Sequence, residues 1–347
     1  MLDDAHRAPA WRLAGAATAI VAAAALTGCG GSGESDEGGS TAAESADTGA
    51  FPVSIEHTYG STEITERPER IVTVGWSDEG TLLELGIVPV GIAESTFASE
   101  DGYLPWDVAK IEELGGELPT LINTDNGIPT EQVATLAPDL ILGVQSGMQE
   151  SEYEDLSQVA PTIPYLDQPW MTGWQEQTQA IGTAVGKPDE ATALVAETED
   201  YLAELAAEHP EFEGTSFVIG TMYEGEFAFY VEGEPRAELM KQLGFTPAEV
   251  TDELHVADGQ FYGTLSMENA DKIDAQTMVM WFNTAEDQQR IEDNEVFQQI
   301  PAVRDGGYIA FNDPALAMAV STPNPLSLPW AMDEFVPELG KAAQGQA

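Results

Sequence analysis

Short runs of β-branched and aliphatic residues alternate along this chain with stretches whose apolar positions recur every three or four residues. Ile71-Val-Thr-Val74 is one such run and reads as a buried strand. A helical pattern over 81–85 stops at Gly86, and Val88-Pro-Val-Gly-Ile92 is a second strand. Leu140-Ile-Leu142 is a third, directly after a helix that begins near Glu131. Lys187-Pro188-Asp189-Glu190 opens the strongest helical pattern in the chain. Proline suits a first helical position and acids a first turn. Leu194, Tyr201, Leu202 and Leu205 share a face, and His209-Pro210 ends the pattern. At a rise of about 1.5 Å per residue such a helix is about 33 Å long, enough to join two lobes. Strands resume at Ser216-Phe-Val-Ile-Gly220 and Phe227-Ala-Phe-Tyr-Val231. A helix is expected near 237–243, strands at Met278-Val-Met280 and Tyr308-Ile-Ala-Phe311, and a helical tail over 330–339. Strands alternating with helices imply parallel pairing and an α/β fold class.

One pattern occurs twice. Glu131-Gln-Val-Ala-Thr-Leu-Ala-Pro-Asp139-Leu-Ile-Leu-Gly143 is matched by Glu268-Asn-Ala-Asp-Lys-Ile-Asp-Ala-Gln276-Thr-Met-Val-Met280. Each opens on glutamate, carries an aliphatic residue at Leu136 or Ile273, and runs into a short apolar stretch. Leu85-Gly-Ile-Val-Pro89 and Leu243-Gly-Phe-Thr-Pro247 echo each other upstream, in the same order. Two matched landmarks predict two lobes on one plan, with a ligand cleft between them. A glutamate at a helix start also stabilises the helix dipole by about 0.3–1 kcal/mol. That explains either glutamate alone but not their shared register.

The chain start changes the picture of location. His6, Arg7 and Arg12 precede an apolar run over 13–26, then Leu26-Thr27-Gly28-Cys29. This reads as a secretory signal over 1–28, too short to span a bilayer, with Cys29 as the lipidated residue. Cys29 is the only cysteine, so no internal disulfide is available to it. Residues 29–50 are Gly, Ser, Ala, Thr, Asp and Glu around that cysteine and read as a flexible tether. The remaining length suits two domains, assigned to 51–186 and 211–347 with the helix of 187–210 between them. Against 61 acidic residues stand 12 basic ones, a net charge of −49. Nucleic-acid binding needs a basic face and is excluded. The acids are dispersed, which suits a salty exterior where their repulsion is screened.

Candidate chemistry follows from where ligands bind in open α/β sheets, beyond the carboxyl ends of the strands. Four such ends are Gly75-Trp76-Ser77, Gly143-Val-Gln145-Ser146, Thr221-Met222-Tyr223 and Trp281-Phe282-Asn283. Three carry a large aromatic, either as a cleft wall for a bulky, partly apolar ligand or as packing. Arg236 is a scarce cation that either meets an anionic or carbonyl-rich ligand or pairs with a neighbouring acid. Enzyme motifs are incomplete. Gly75-Trp-Ser-Asp-Glu-Gly80 and Gly143-Val-Gln-Ser-Gly147 do not match the serine elbow, and no phosphate loop or dinucleotide fingerprint occurs. His57, His209 and His255 lack metal-ligand spacing, so neither a metal site nor a cofactor is expected.

Together these segments resemble the substrate-binding proteins of iron-siderophore and vitamin B12 ABC importers, over essentially everything from Phe51 on. The resemblance is carried by Arg70-Ile-Val-Thr-Val with Leu85-Gly-Ile-Val-Pro-Val-Gly91, and by Glu131 to Gly143. Trp174 through Ile181-Gly-Thr-Ala-Val-Gly186, Leu265-Ser-Met-Glu268 and Pro301-Ala-Val-Arg304 add to it. It implies two Rossmann-like lobes with central sheets, joined by one long rigid helix, that close only slightly on a ligand. It implies that Glu131 and Glu268 dock onto the arginines of the permease subunits, which work with a cytoplasmic ATPase. Tyr103-Leu-Pro-Trp106, Pro169-Trp170 and Ser327-Leu-Pro-Trp330 resemble the ferric siderophore branch most. The candidate ligand-binding residues are thus Trp76, Trp106, Gln145, Trp170, Tyr223, Tyr230, Arg236 and Trp281.

The chain departs from catecholate-binding members in offering only Arg236 as a cation, which favours a hydroxamate-type ferric siderophore. Iron would enter only inside that cargo. The expected protein is a monomer, lipid-anchored on the extracytoplasmic face of the cell membrane, and not an enzyme. The alternatives are haem or cobalamin capture, with His255 and Tyr223 as axial ligands, or an extracellular enzyme or adhesion module on a doubly wound fold.

Overall fold

A computed structural model describes residues 51–257 and 259–347. The expected signal peptide, the lipidation at Cys29 and the tether lie outside them. An antiparallel hairpin, β1 (Val53–His57) and β2 (Gly60–Ile64), comes first. Five parallel strands then form one sheet: β3 (Ile71–Thr73), β4 (Gly91–Ala93), β5 (Thr120–Ile122), β6 (Leu140–Leu142) and β7 (Thr162–Ile163). Their order is β5-β4-β3-β6-β7. Every residue of β3 and β6 is buried, as expected of central strands covered on both faces. Parallel neighbours need crossovers, here α1 (Asp78–Glu84), α2 (Pro105–Leu114), α3 (Thr130–Thr135) and α4 (Glu150–Leu156). Helix α5 (Trp174–Ala184) follows, then α6 (Pro188–Glu208), which starts at the expected proline and ends one residue before His209.

The second sheet is mixed. Its strands are β8 (Ser216–Tyr223), β9 (Glu226–Tyr230), β10 (Thr246–Pro247), β11 (His255–Val256), β12 (Tyr262–Ser266), β13 (Thr277–Trp281) and β14 (Tyr308–Phe311). The order is β11-β12-β9-β8-β13-β14, with β10 also on β8. β8 is three residues longer than its apolar run, because its far half pairs antiparallel with β9 after its near half pairs parallel with β10. Helices α7 (Pro235–Gln242), α8 (Ala285–Glu292), α9 (Pro301–Arg304), α10 (Pro314–Ser321) and α11 (Ser327–Ala343) complete the chain. Among the described residues no helix is long and apolar enough to cross a membrane.

The doubled pattern is realised bond by bond. The Asp139 carboxylate accepts the Glu69 and Arg70 N–H groups, each at 2.8 Å. Its counterpart, the Gln276 side-chain oxygen, accepts the Ser216 N–H at 3.1 Å. One residue on, Leu140 sits beside Ile71 and Thr277 beside Phe217, in parallel register. The upstream echo is a shared helix end. Gly86 (φ 78°) and Gly244 (φ 103°) occupy the left-handed region. Each is followed by a reach-back bond, Ile87 N–H to Leu82 O at 2.8 Å and Phe245 N–H to Met240 O at 3.1 Å. The lobes differ at the glutamates: Glu131 opens helix α3, whereas Glu268 opens a 3₁₀ segment, Met267–Lys272, broken at Asn269.

More than α6 joins the lobes. One buried cluster runs from Leu104, Trp106 and Trp174 through Val195 and Leu202 of α6 to Leu239, Leu316 and Met332. Near the cleft α1 meets the α10–α11 turn directly. The Ser77 and Thr322 hydroxyls hydrogen-bond, and a Cβ on Gly80 would lie 2.4 Å from Asn324 Oδ1. Asn324 cannot yield freely, since it is fully buried and accepts the N–H groups of Leu326 (2.9 Å) and Ser327 (3.0 Å). Gly80→Ala should therefore destabilise the protein by about 1–3 kcal/mol, read as a lowered thermal midpoint. An unchanged midpoint would mean that the lobes part without cost.

Candidate functional site

A cleft of about 310 Å³ opens where the carboxyl ends of both sheets meet. The first lobe supplies Gly75, Trp76 and Ser77 after β3, residues 93–97 after β4, and Asp125 after β5. The second supplies Thr221 of β8, Tyr230 of β9, Trp281 and Asn283 at the end of β13, and Ala317, Met318 and Ser321 of α10. Parallel strands β3, β4, β5, β8 and β13 bring their ends to one edge, and β9, running back antiparallel beside β8, adds Tyr230 to the same cleft.

The aromatic walls are of two kinds. Trp76 is 41% exposed and packs against Trp170, ring centroids 4.7 Å apart. Its loop is held from behind, since Gln145 O accepts the Trp76 N–H at 2.8 Å and Gln145 Nε2 donates to Trp170 O at 3.3 Å. Trp281 is only 6% exposed, wedged against Phe311 and Phe335. Its indole N–H has no acceptor, nor has the buried Ser95 hydroxyl a partner. Both residues line the cleft, with the two unpartnered donor atoms buried behind its surface.

The cleft's cation is already engaged. Arg236 Nε donates to Glu234 Oε1 at 2.6 Å and Nη1 to Ser321 Oγ at 3.2 Å. The guanidinium carbon lies 3.5 Å from the Tyr230 ring centroid, a cation–π contact. Glu234 caps α7 by accepting the Arg236 N–H at 2.8 Å. Burial pushes its carboxyl up, and Arg236 draws it back.

Below the cleft lie three buried acids. Asp78 accepts from Gln177 Nε2 at 2.7 Å and from the Val144 and Gln145 N–H groups at 2.9 and 3.2 Å. Burial nevertheless pushes its carboxyl up to about 6. Glu79 accepts the Thr73 hydroxyl at 3.2 Å, lines the cleft, and is pushed up to about 7 by burial and the charge of Asp78. Asp107 meets no donor other than its carboxyl neighbour Glu79, and burial beside Glu79 raises it well above the usual carboxylate range. Two such acids without a cation between them keep at least one proton. Among the described residues no group of three or more His, Cys, Asp or Glu side chains could hold a metal ion.

The structure thus brings Trp76, Tyr230, Arg236 and Trp281 together and places the other candidates elsewhere. Gln145 and Trp170 stand behind Trp76. Trp106 is buried beneath Leu104 and packs on Trp330 at 4.9 Å. Tyr223 is 53% exposed beyond the cleft, against Tyr262 at 5.9 Å, because β8 runs past the point where the cleft closes. Glu131 and Glu268 are exposed, each in the first turn of the segment that follows a strand, β5 and β12. Sequence reasoning missed Glu79, Glu94, Asp125 and the α10 wall. The first two were within reach, since Glu79 lies in the Gly75–Gly80 segment and Glu94 follows a strand already read.

Comparison with known proteins agrees with this geometry. The ferric-citrate-binding protein YfmC of Bacillus subtilis is 27% identical over 295 residues, covering 83% of this chain and 85% of its own. A structure of PiaA from Streptococcus pneumoniae TIGR4 in complex with ferrichrome superposes with a TM-score of 0.77 at 28% identity, covering 84% of this chain and 99% of its own. A periplasmic solute-binding protein from Mycobacterium smegmatis gives 0.72 at 29% identity, covering 84% and 99%. The periplasmic binding protein family matches residues 71–313, from the first strand of the first sheet to just past the last strand of the second. The chain belongs to that family.

Proposed function

We propose that this protein captures a ferric siderophore, of hydroxamate type by preference, and delivers it to the permease of an ABC importer driven by a cytoplasmic ATPase. It is a carrier and transforms nothing. The observation that carries this reading is the aromatic-walled cleft at the carboxyl ends of both sheets. Proteins similar over four fifths of the chain are a ferric-citrate-binding protein and one solved with ferrichrome, which supports a chelated-iron cargo. The hydroxamate preference rests on charge: the cleft's guanidinium is already paired with Glu234 and has little left for a polyanion. Two lobes, 51–186 and 211–347, joined by 187–210, close on the cargo with a small movement, because a continuous core ties them. Glu131 and Glu268 present one carboxylate per lobe to the permease. Cys29 carries the lipid that holds a monomer at the extracytoplasmic face of the membrane.

Haem or cobalamin is the weaker reading, since neither His255 nor Tyr223 lines the cleft. Titrating the full-length protein with ferrichrome, ferric citrate, haem and cobalamin, followed by tryptophan fluorescence, tests the proposal. Saturable quenching by a ferric siderophore is expected, through Trp76 and Trp281. A response to haem or cobalamin alone would overturn it.

A further inference from the structure

Resting on the siderophore reading of the cleft, we infer that the preferred cargo is positively charged: a ferric trihydroxamate bearing a free ammonium group, received by Glu94 and Asp125. The two carboxylates belong to one constellation. Ala93 of β4 lies beside Ile122 of β5, so the residues that follow, Glu94 and Asn123, leave the sheet together. Asn123 Nδ2 donates to Glu94 Oε2 at 2.9 Å, and Asn123 Oδ1 accepts the Asp125 N–H at 3.2 Å. The Thr96 hydroxyl donates to Asp125 at 3.1 Å. These partners are neutral, so they orient the carboxylates without cancelling their charge. Both acids line the same cleft as Trp76 and Phe97, whose exposed ring faces suit a cation.

The rest of the cleft suits the neutral iron core. The Trp281 indole N–H, in a side chain more than nine-tenths buried, and the Ser95 hydroxyl are donors without partners. Hydroxamate oxygens are acceptors of the kind such donors lack. A polycarboxylate complex would instead meet Glu94 and Asp125 as like charges, with Arg236 already held by Glu234. The protein's net charge of −49 adds a long-range field of the same sign.

Three complexes separate the possibilities on the full-length protein at low salt. Ferrioxamine B carries one ammonium, its N-acetyl derivative keeps the iron core without the charge, and ferric dicitrate is anionic. N-acetylation is expected to weaken binding about two- to fivefold, as for partly exposed ion pairs. The Glu94→Gln/Asp125→Asn variant should bind both trihydroxamates alike, and added salt should narrow the difference in the parent. Equal affinity for the two trihydroxamates in the parent protein, or tightest binding of ferric dicitrate, would overturn the charge preference while leaving the siderophore reading intact. Folded protein that binds no ferric complex would overturn both.

Discussion

Replacing Glu131 and Glu268 together with alanine is expected to reduce iron-siderophore uptake by cells to background while ligand affinity of the purified protein stays within about twofold. Neither glutamate lines the cleft, and both side chains are exposed. Each occupies the first turn of the segment that follows a strand, α3 after β5 and the 3₁₀ segment after β12. The shared register survives in the hydrogen bonds around it: Asp139 and Gln276, eight residues on, fasten the start of β3 and β8 in the same way. Two like lobes thus carry two like carboxylates at corresponding points, and the proposed docking on two permease subunits rests on that pairing. Losing the favourable dipole interaction at each turn costs about 0.3–1 kcal/mol, too little to unfold the protein. A collapse of affinity in the purified double variant would place the glutamates in the pocket or the fold and end the docking account.

Glu79→Gln should make the protein more stable at pH 8 and flatten the dependence of stability on pH. In the folded chain the Glu79 carboxyl is pushed up to about 7, against an ordinary 4.5 once unfolded. Between those values the folded state holds a proton that the unfolded state has released. Stability is therefore full below about pH 4.5 and declines as pH rises through the folded value. Glutamine keeps the shape, can accept the Thr73 hydroxyl as the carboxylate does, and can donate to Asp107 in place of the proton the two acids share. The gain at pH 8 is about 2–3 kcal/mol, and near pH 4.5 it should largely vanish. Urea unfolding at the two pH values reads this directly. A variant less stable than its parent at pH 8 would show that the Glu79 charge is satisfied where it lies.

Much of the fold was legible because its signals are local. β14 was read to the residue and α6 to within one, the latter because Pro188 and the acids after it mark a helix start. β8 was read short: Thr221, Met222 and Tyr223 extend it only because β9 lies alongside, a partner no local pattern announces. Helix α10 is apolar on every side, so no amphipathic stripe betrays it. In the cleft, the strand-end rule located Trp76 and Trp281. It could not separate a ligand contact from its support, so Gln145 was grouped with the tryptophan it braces, and Trp170, nominated by the resemblance, packs on that same ring. Asp125 was hidden by abundance among 61 acids, whereas Glu79 and Glu94 sit in or directly after segments already read as strand ends.

The most direct measurement is the anomalous scattering of iron in crystals of the protein grown with a ferric trihydroxamate. A single iron peak in the cleft, flanked by Trp76 and Trp281 and within reach of Tyr230 and Arg236, is the predicted result. Iron bound elsewhere, or a cleft that stays empty in saturated crystals, would contradict the account.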